Sequence, residues 1–176
     1  MTDRPVVIDS SVALALLLDE PEAPVVERTL GSWTRDGRSR VVPSHFWLEV
    51  VNRLGRVSTL SGGKMLAAIH RLDTVGLETV EPGRALLLHV IDRVERHGLA
   101  AYDAMYLVLA ESIDAELATF DRELAAAAGP RAISFDEGHG LHETPPAYER
   151  DVTWPSYKGV SGYLAKLRSE ALAERT

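Results

Sequence analysis

The chain has 176 residues, 45% of them hydrophobic, and a formal net charge of −7, which suits one compact domain with its own core. It contains no cysteine, so disulfides and thiolate metal sites are excluded, and any bound metal must use oxygen or histidine ligands. The acidic balance argues against a broad basic nucleic-acid surface, although an acidic, metal-filled pocket can still be rimmed locally by arginines. Because the sequence shows neither a signal-peptide layout nor an apolar run long enough to span a bilayer, we expect a cytoplasmic protein.

Short apolar runs alternate with longer helical patterns along the chain. The predicted strands are 6–8, 41–42, 77–80, 117–120 and 132–135. The predicted helices are 10–18, 23–33, 45–57, 61–74, 85–97, 102–113 and 121–129. The second is expected to end near Gly31, and the fifth at Gly98. Ser44 and Ser61 are the expected N-caps of the third and fourth, and Pro43 is expected to end the strand before the third. This alternation is typical of right-handed crossover units, so it predicts an α/β fold of three layers, with helices on both faces of a mostly parallel sheet.

Two acidic residues follow predicted strands directly. Asp9 comes after the first strand, and Asp121 comes after Leu117-Ala118-Thr119-Phe120. Each one alone is more simply explained as a helix cap, because Asp accepts hydrogen bonds from the free N–H groups of a first helical turn. Together they are more informative, since ligands of parallel sheets lie outside the carboxyl ends of the strands.

Two further acids lie on predicted helices. Asp103 begins a helix that is almost entirely apolar, so its carboxylate needs a partner, which the helix end and its dipole can also provide. Glu49 shares a stripe with Asn52, Arg53 and Arg56. That stripe is either a solvated face, with an ordinary Glu49–Arg53 ion pair, or the wall of a crevice with Glu49 on metal, Asn52 orienting it and the two arginines near phosphates.

A cluster of carboxylates has a chemical use. Like charges at close range are unfavourable unless a divalent cation neutralises them, and Mg²⁺ is typically held by a few carboxylates, waters and substrate phosphates. One or two such ions activate water and stabilise the leaving oxygen in phosphodiester hydrolysis. No protein nucleophile is then required, which agrees with the lack of a recognisable serine, cysteine or histidine nucleophile motif in the sequence.

Four segments in order resemble the PIN-domain family, and among its members the VapC toxins of bacterial toxin-antitoxin pairs. They are Val-Ile-Asp-Ser-Ser at 7–11, Glu-Val-Val-Asn at 49–52, Ala-Tyr-Asp-Ala-Met-Tyr at 101–106 and Leu-Ala-Thr-Phe-Asp at 117–121. The resemblance spans about Val6 to Phe135. Each segment is weakly specific by itself, whereas the ordered set is strong.

The resemblance implies an endoribonuclease that uses Mg²⁺ or Mn²⁺, forms a homodimer and is inhibited by a small antitoxin. It also implies site residues. The acidic ones are Asp9, Glu49, Asp103 and Asp121, with Asp9, Asp103 and Asp121 on the metal and a supporting hydroxyl from Ser11 or Thr119. A PIN-like RNA-processing nuclease outside a toxin-antitoxin pair is the alternative within the family.

The C-terminal part departs from the family pattern. We expect a nuclease domain over 1–137 and an extension over 138–176, containing a linker and a helical pattern. His139 and His142 are better explained as exposed loop residues than as metal ligands, while Trp154 and Tyr157 are candidate anchors for the extension.

Two rival enzyme classes fit poorly, and one non-enzymatic interpretation stays open. An aspartyl-nucleophile phosphatase requires a second aspartate two residues after the first, where this chain has Ser11. A nucleotide-binding enzyme needs a glycine-rich loop ending in lysine, and none follows a predicted strand. The remaining alternative is a non-catalytic α/β interaction module whose acids are caps and surface charges.

Overall fold

A five-stranded parallel sheet forms the centre of the computed structural model, which describes residues 4–57 and 61–135. The strands are β1 (Val6–Ile8), β2 (Arg40–Pro43), β3 (Leu77–Val80), β4 (Glu116–Ala118) and β5 (Ala132–Ile133). Their order across the sheet is β3-β2-β1-β4-β5, and every neighbouring pair is parallel. The predicted α/β class is therefore confirmed, with a sheet that is parallel throughout the described residues.

Helices join the strands and cover the sheet. In the described ranges they are α1 (Ser10–Leu17), α2 (Ala23–Arg35), α3 (His45–Gly55), α4 (Gly62–Asp73), α5 (Arg84–His97), α6 (Ala101–Ser112) and α7 (Arg122–Ala128), followed by a short 3-10 turn (Gly129–Arg131). α6 packs on β1, β2 and β4 and also contacts α5 and α7, while α1 contacts α2, α3 and α4. None of these helices is long and apolar enough to cross a membrane.

The apolar segments of the sequence form the core. Val6 and Val7 of β1 are completely buried, as expected for the central strand of a parallel sheet covered on both faces. In α6, every residue from Ala104 to Ala110 is buried. A helix that is apolar around its whole circumference is an interior helix, so α6 is a fixed part of the core on which other groups can be positioned.

Several predicted boundaries were wrong. α2 continues through Gly31 to Arg35, because a glycine inside a helix weakens it by only about 1 kcal/mol and the next turn buries Trp33. Ser44 does not cap α3: its backbone is already helical, and its hydroxyl donates to Glu81. Pro43 belongs to β2 and is paired with Val80.

Other boundaries differ by a few residues. α3 ends at Gly55 and β4 ends at Ala118, both earlier than predicted, and β5 is only two residues long. The predicted caps Ser61 and Gly98 are confirmed, since Ser61 accepts from the Lys64 N–H and Gly98 has the left-handed conformation at φ 69°. The predictions for 138–176, including His139, His142, Trp154 and Tyr157, lie outside the described residues.

Candidate active site

The strand order changes direction at β1. From β1 the chain moves to β2 and β3 on one side of the sheet, and it returns to β4 and β5 on the other. Ile8 and Ala118 are paired at the carboxyl ends of β1 and β4, and the Asp9 N–H donates to the Ala118 carbonyl at 2.9 Å. Such a switch point opens a crevice where ligands bind in open parallel sheets. Asp9 and Asp121 therefore leave neighbouring strands at the same edge.

Asp9 is held by hydroxyl groups. Its side chain is only 4% exposed, and it occupies the N-cap position of α1 without making a side-chain cap. One carboxylate oxygen, Oδ2, accepts from Ser11 Oγ at 2.5 Å and from Thr119 Oγ1 at 2.8 Å, while Ser10 Oγ lies 3.4 Å from Oδ1. The capping explanation thus does not account for Asp9, whose buried charge depends on these donors.

The same two hydroxyls connect β1 to the segment after β4. Ser11 Oγ accepts from the Phe120 N–H at 3.0 Å, and Thr119 Oγ1 accepts from the Asp121 N–H at 2.9 Å. Each hydroxyl therefore donates to Asp9 and accepts from a backbone N–H. This network fixes the position of Asp121 relative to Asp9.

Asp121 does cap a helix, as the simpler explanation proposed. Its Oδ1 accepts from the Leu124 N–H at 2.8 Å at the start of α7. Its Oδ2 receives no hydrogen bond from any described residue. The capping bond orients the side chain and leaves one oxygen available at the cleft.

Asp103 is the carboxylate without a partner. It is half-buried in the first turn of α6 and accepts no hydrogen bond and joins no ion pair within residues 4–57 and 61–135. Burial first, and after it the negative charges of Asp9, Asp121, Glu49 and Glu123, together raise its pKa from 3.8 to about 6. A helix N-terminus by itself favours a carboxylate, so burial and like charges outweigh the helix dipole here.

Glu49 faces the other three acids from α3. It is half-buried, and Oε2 accepts a hydrogen bond from the hydroxyl of Tyr106. Burial raises the pKa of Glu49; the Tyr106 hydrogen bond opposes this, the Asp9 charge adds to it, and a hydrogen bond with Ser10 lowers it. No ion pair joins Glu49 to Arg53 among the described residues. Of the two interpretations of this stripe, the surface ion pair is thus not formed, and the hydroxyl of Tyr106 is the hydrogen-bond donor to Glu49.

The four acids share a cleft of about 400 Å³. Asn52 and Arg53 also line it, whereas exposed Arg56 at the end of α3 does not. Glu20 and Glu22, which belong to none of the four sequence motifs, add two more carboxylates to the lining. The cleft is thus more acidic than predicted, with Arg53 as its single lining cation among the described residues.

Comparison with known proteins agrees with this geometry. The profile of the PIN domain matches residues 6–130. The chain belongs to the PIN domain family. The resemblance proposed from the four motifs is confirmed, and the match covers every strand but β5 and all seven helices given above.

Several solved structures share the fold. One is PAE2754 from Pyrobaculum aerophilum, with 25% identity, a TM-score of 0.55 and coverage of 75% of this chain and 90% of that one. A toxin-antitoxin complex from Klebsiella pneumoniae has 15% identity, a TM-score of 0.57 and coverage of 75% and 98%. VapC20 from Mycobacterium tuberculosis, a toxin that cleaves the sarcin-ricin loop, has 16% identity, a TM-score of 0.57 and coverage of 69% and 94%. No curated protein matches the chain.

PIN domains are typically nucleases and generally use divalent metals. In this PIN domain, no three His, Asp or Glu side chains of the described residues stand close enough to hold an ion between them. The donor set nevertheless fits a hard cation, because it consists of oxygens and includes the unpaired Asp103. Mg²⁺ needs few protein ligands, since waters complete its octahedron.

Proposed function

We propose that this PIN domain is a metal-dependent endoribonuclease and the toxin of a toxin-antitoxin pair. The single observation that carries the proposal is Asp103, a half-buried carboxylate without a bonding partner among the described residues, near the negative charges of four other acids. Such an arrangement is unfavourable in a protein that has only to fold. Binding of a divalent cation among these acids would offset their mutual repulsion and so explain the arrangement.

The residues have distinct tasks in this proposal. Asp9, Asp103 and Asp121 would hold Mg²⁺ or Mn²⁺, with Glu49 beside them; because the three do not stand close enough to share an ion directly, waters of the cation would complete the contacts. Ser11 and Thr119 orient the Asp9 carboxylate through their hydrogen bonds. What a bound divalent cation supplies is activation of the attacking water and stabilisation of the leaving oxygen.

Substrate binding is assigned to the positive and amide groups of α3. Arg53 lines the cleft within reach of a phosphate, and Asn52 offers an amide there. Arg56 is exposed one turn away, where it would contact a phosphate further along the RNA. One arginine at the cleft is compatible with RNA binding by a chain of net negative charge, because the substrate phosphates would be neutralised chiefly at the metal.

The toxin assignment is supported by the structural neighbours, which include a toxin-antitoxin complex and a VapC toxin. Their identity to this chain is at most 16%, so they support the fold, and the toxin role is our proposal. We further propose an antitoxin whose basic side chain enters the acidic cleft, a homodimer and a cytoplasmic location.

Cleavage of single-stranded RNA tests the nuclease. Wild type with Mg²⁺ or Mn²⁺ is expected to cut, and chelation with EDTA is expected to stop it. Asp9→Asn and Asp103→Asn should each lose about 100-fold or more of the rate, the scale of removing one group that stabilises transition-state charge. Glu78→Gln, an exposed acid on β3 outside the cleft, is the matched control. Wild-type activity in both cleft variants would end the nuclease proposal.

A growth experiment tests the toxin role separately. Induced wild type should arrest growth, Asp9→Asn should not, and co-expression of a short neighbouring reading frame with a DNA-binding pattern should restore growth. RNA cleavage in vitro without growth arrest would favour an RNA-processing nuclease over a toxin.

A further inference from the structure

A buried tyrosine contacts one of the acidic residues that line the cleft. Tyr106 lies on α6 three residues after Asp103, its side chain is fully buried, and its hydroxyl donates to Glu49 Oε2. The bond joins α6 to α3 across the wall of the acidic cleft. Nothing in the proposed function assigns Tyr106 a task.

The tyrosine itself has little freedom to move. Its ring packs against the edge of the His45 ring at a centroid distance of 5.0 Å and an angle of 66°. Its neighbours Met105 and Leu107 are buried as well. Close packing of this kind restricts a side chain to one rotamer, so the hydroxyl oxygen has a single position.

Glu49 is less restricted than Tyr106, because it is only half-buried. The next residues on either side, Leu48 and Val50, point in opposite directions: Leu48 is 73% exposed and Val50 is completely buried. Glu49 lies between these two environments, and a glutamate has three rotatable side-chain bonds. Without the phenol only its hydrogen bond with Ser10 would keep it in the cleft among the described residues, and it could turn into solvent.

We propose that Tyr106 is a positioning residue, which holds the Glu49 carboxylate toward Asp9 and Asp103 so that Glu49 contributes to cation binding. The inference rests on the proposed function, because it concerns the same cation site. Groups that orient the ligands of a metal in this way typically change metal affinity by 10- to 100-fold when they are removed.

A purely structural role would give a different result. A buried phenol needs an acceptor, and Glu49 could serve only to satisfy Tyr106. Removing the hydroxyl would then alter the stability of the fold and leave cation affinity as it was. Measuring both quantities separates the two roles.

The experiment measures Mn²⁺ affinity of the full chain by isothermal titration calorimetry. Tyr106→Phe is expected to weaken Mn²⁺ binding about tenfold or more. Tyr102→Phe is the matched control, because Tyr102 lies on the same helix, is 64% exposed and donates no hydrogen bond to a described residue; it should bind as the wild type does. In a Glu49→Gln background, Tyr106→Phe should produce no further loss, since the two residues act through one carboxylate.

A second variant keeps the test decisive if Tyr106→Phe does not fold. Glu49→Asp retains the charge but withdraws it by one carbon from the phenol, so it should also lose Mn²⁺ affinity. Unchanged Mn²⁺ affinity in Tyr106→Phe or in Glu49→Asp would overturn the inference and leave the nuclease proposal standing. A wild type that neither binds Mn²⁺ nor cuts RNA would remove both.

Discussion

Asp103→Asn should stabilise the metal-free protein at neutral pH. The folded state raises the pKa of Asp103 from 3.8 to about 6, so it holds the proton more tightly than the unfolded chain does. A rise of this size corresponds to roughly 3 kcal/mol, which screening of a half-buried group by solvent reduces to about 1–2 kcal/mol. Asparagine keeps the shape of the side chain and removes the charge.

The pH dependence follows from the same values. Below pH 3.8 Asp103 is protonated in both states and exerts no penalty. As pH rises toward about 6, the wild type loses stability relative to the variant, and above pH 6 the difference is complete. The advantage of Asp103→Asn should therefore grow between pH 4 and pH 6 and stay constant from there to pH 8.

Urea denaturation in EDTA measures this difference at a series of pH values. At pH 7.5 the variant should unfold at a higher urea concentration, with a melting temperature roughly 2–8 °C above that of the wild type. Glu78→Gln, exposed on β3, should show no comparable gain. A variant that is less stable than the wild type, or a difference that does not change with pH, would refute the reasoning. Saturating Mn²⁺ should reverse the order, since only the wild type keeps the full set of acids.

Three further predictions concern other positions. Thr119→Val removes a donor to the buried carboxylate at the end of β1 and should lower the free energy of unfolding by about 1–3 kcal/mol; an unchanged urea midpoint would contradict the network. Gly98→Ala should destabilise the protein by about 1 kcal/mol because of its left-handed backbone. Gly63→Ala in α4, where an added Cβ would meet no atom within 4 Å, should stabilise it by a similar amount; equal melting temperatures of the two variants would be inconsistent with these conformations. Arg53→Ala should weaken RNA binding and reduce the slope of log affinity against log salt concentration by about one unit. Exposed Arg28→Ala should change neither the affinity nor the slope in a filter-binding assay.

The convergence of Asp9 and Asp121 was predictable from the sequence. Each follows a short apolar strand, and the carboxyl ends of parallel strands meet at one edge of a sheet. The strand register pairs Ile8 with Ala118, which places the two acids as that rule expects. The hydroxyls of Ser11 and Thr119 followed from the family resemblance, and the structure adds that they donate to the same oxygen of Asp9.

The contact between α3 and α6 was not predictable in the same way. Helical periodicity says which face of each helix is buried, but not which residues of two buried faces meet. No partner was therefore predicted for Tyr106, and Glu49 was left open between a solvated face and the wall of a crevice. A tyrosine inside an otherwise apolar helix was the available signal, because a buried hydroxyl requires an acceptor.

The prediction of helix ends was limited because tertiary contacts compete with the local preferences of the sequence. Glycine is typical of a helix end and serine of a helix start, which is why Gly31 and Ser44 were predicted in these positions. In the folded chain, burial of Trp33 extends α2 beyond the glycine, and Glu81 takes the serine hydroxyl. Both preferences are worth about 1 kcal/mol, which a single tertiary contact can exceed.

The pairing of β1 with β4 also sets the order of events during synthesis. Asp9 leaves the ribosome early, but its partner Thr119 and the acid Asp121 are 110 and 112 positions further along the chain. Contacts this distant form only after the intervening chain is available. A growing polypeptide that ends before β4 thus carries Asp9, Glu49 and Asp103 but lacks Thr119 and Asp121, so the proposed cation site is complete only after β4 and Asp121 have been made.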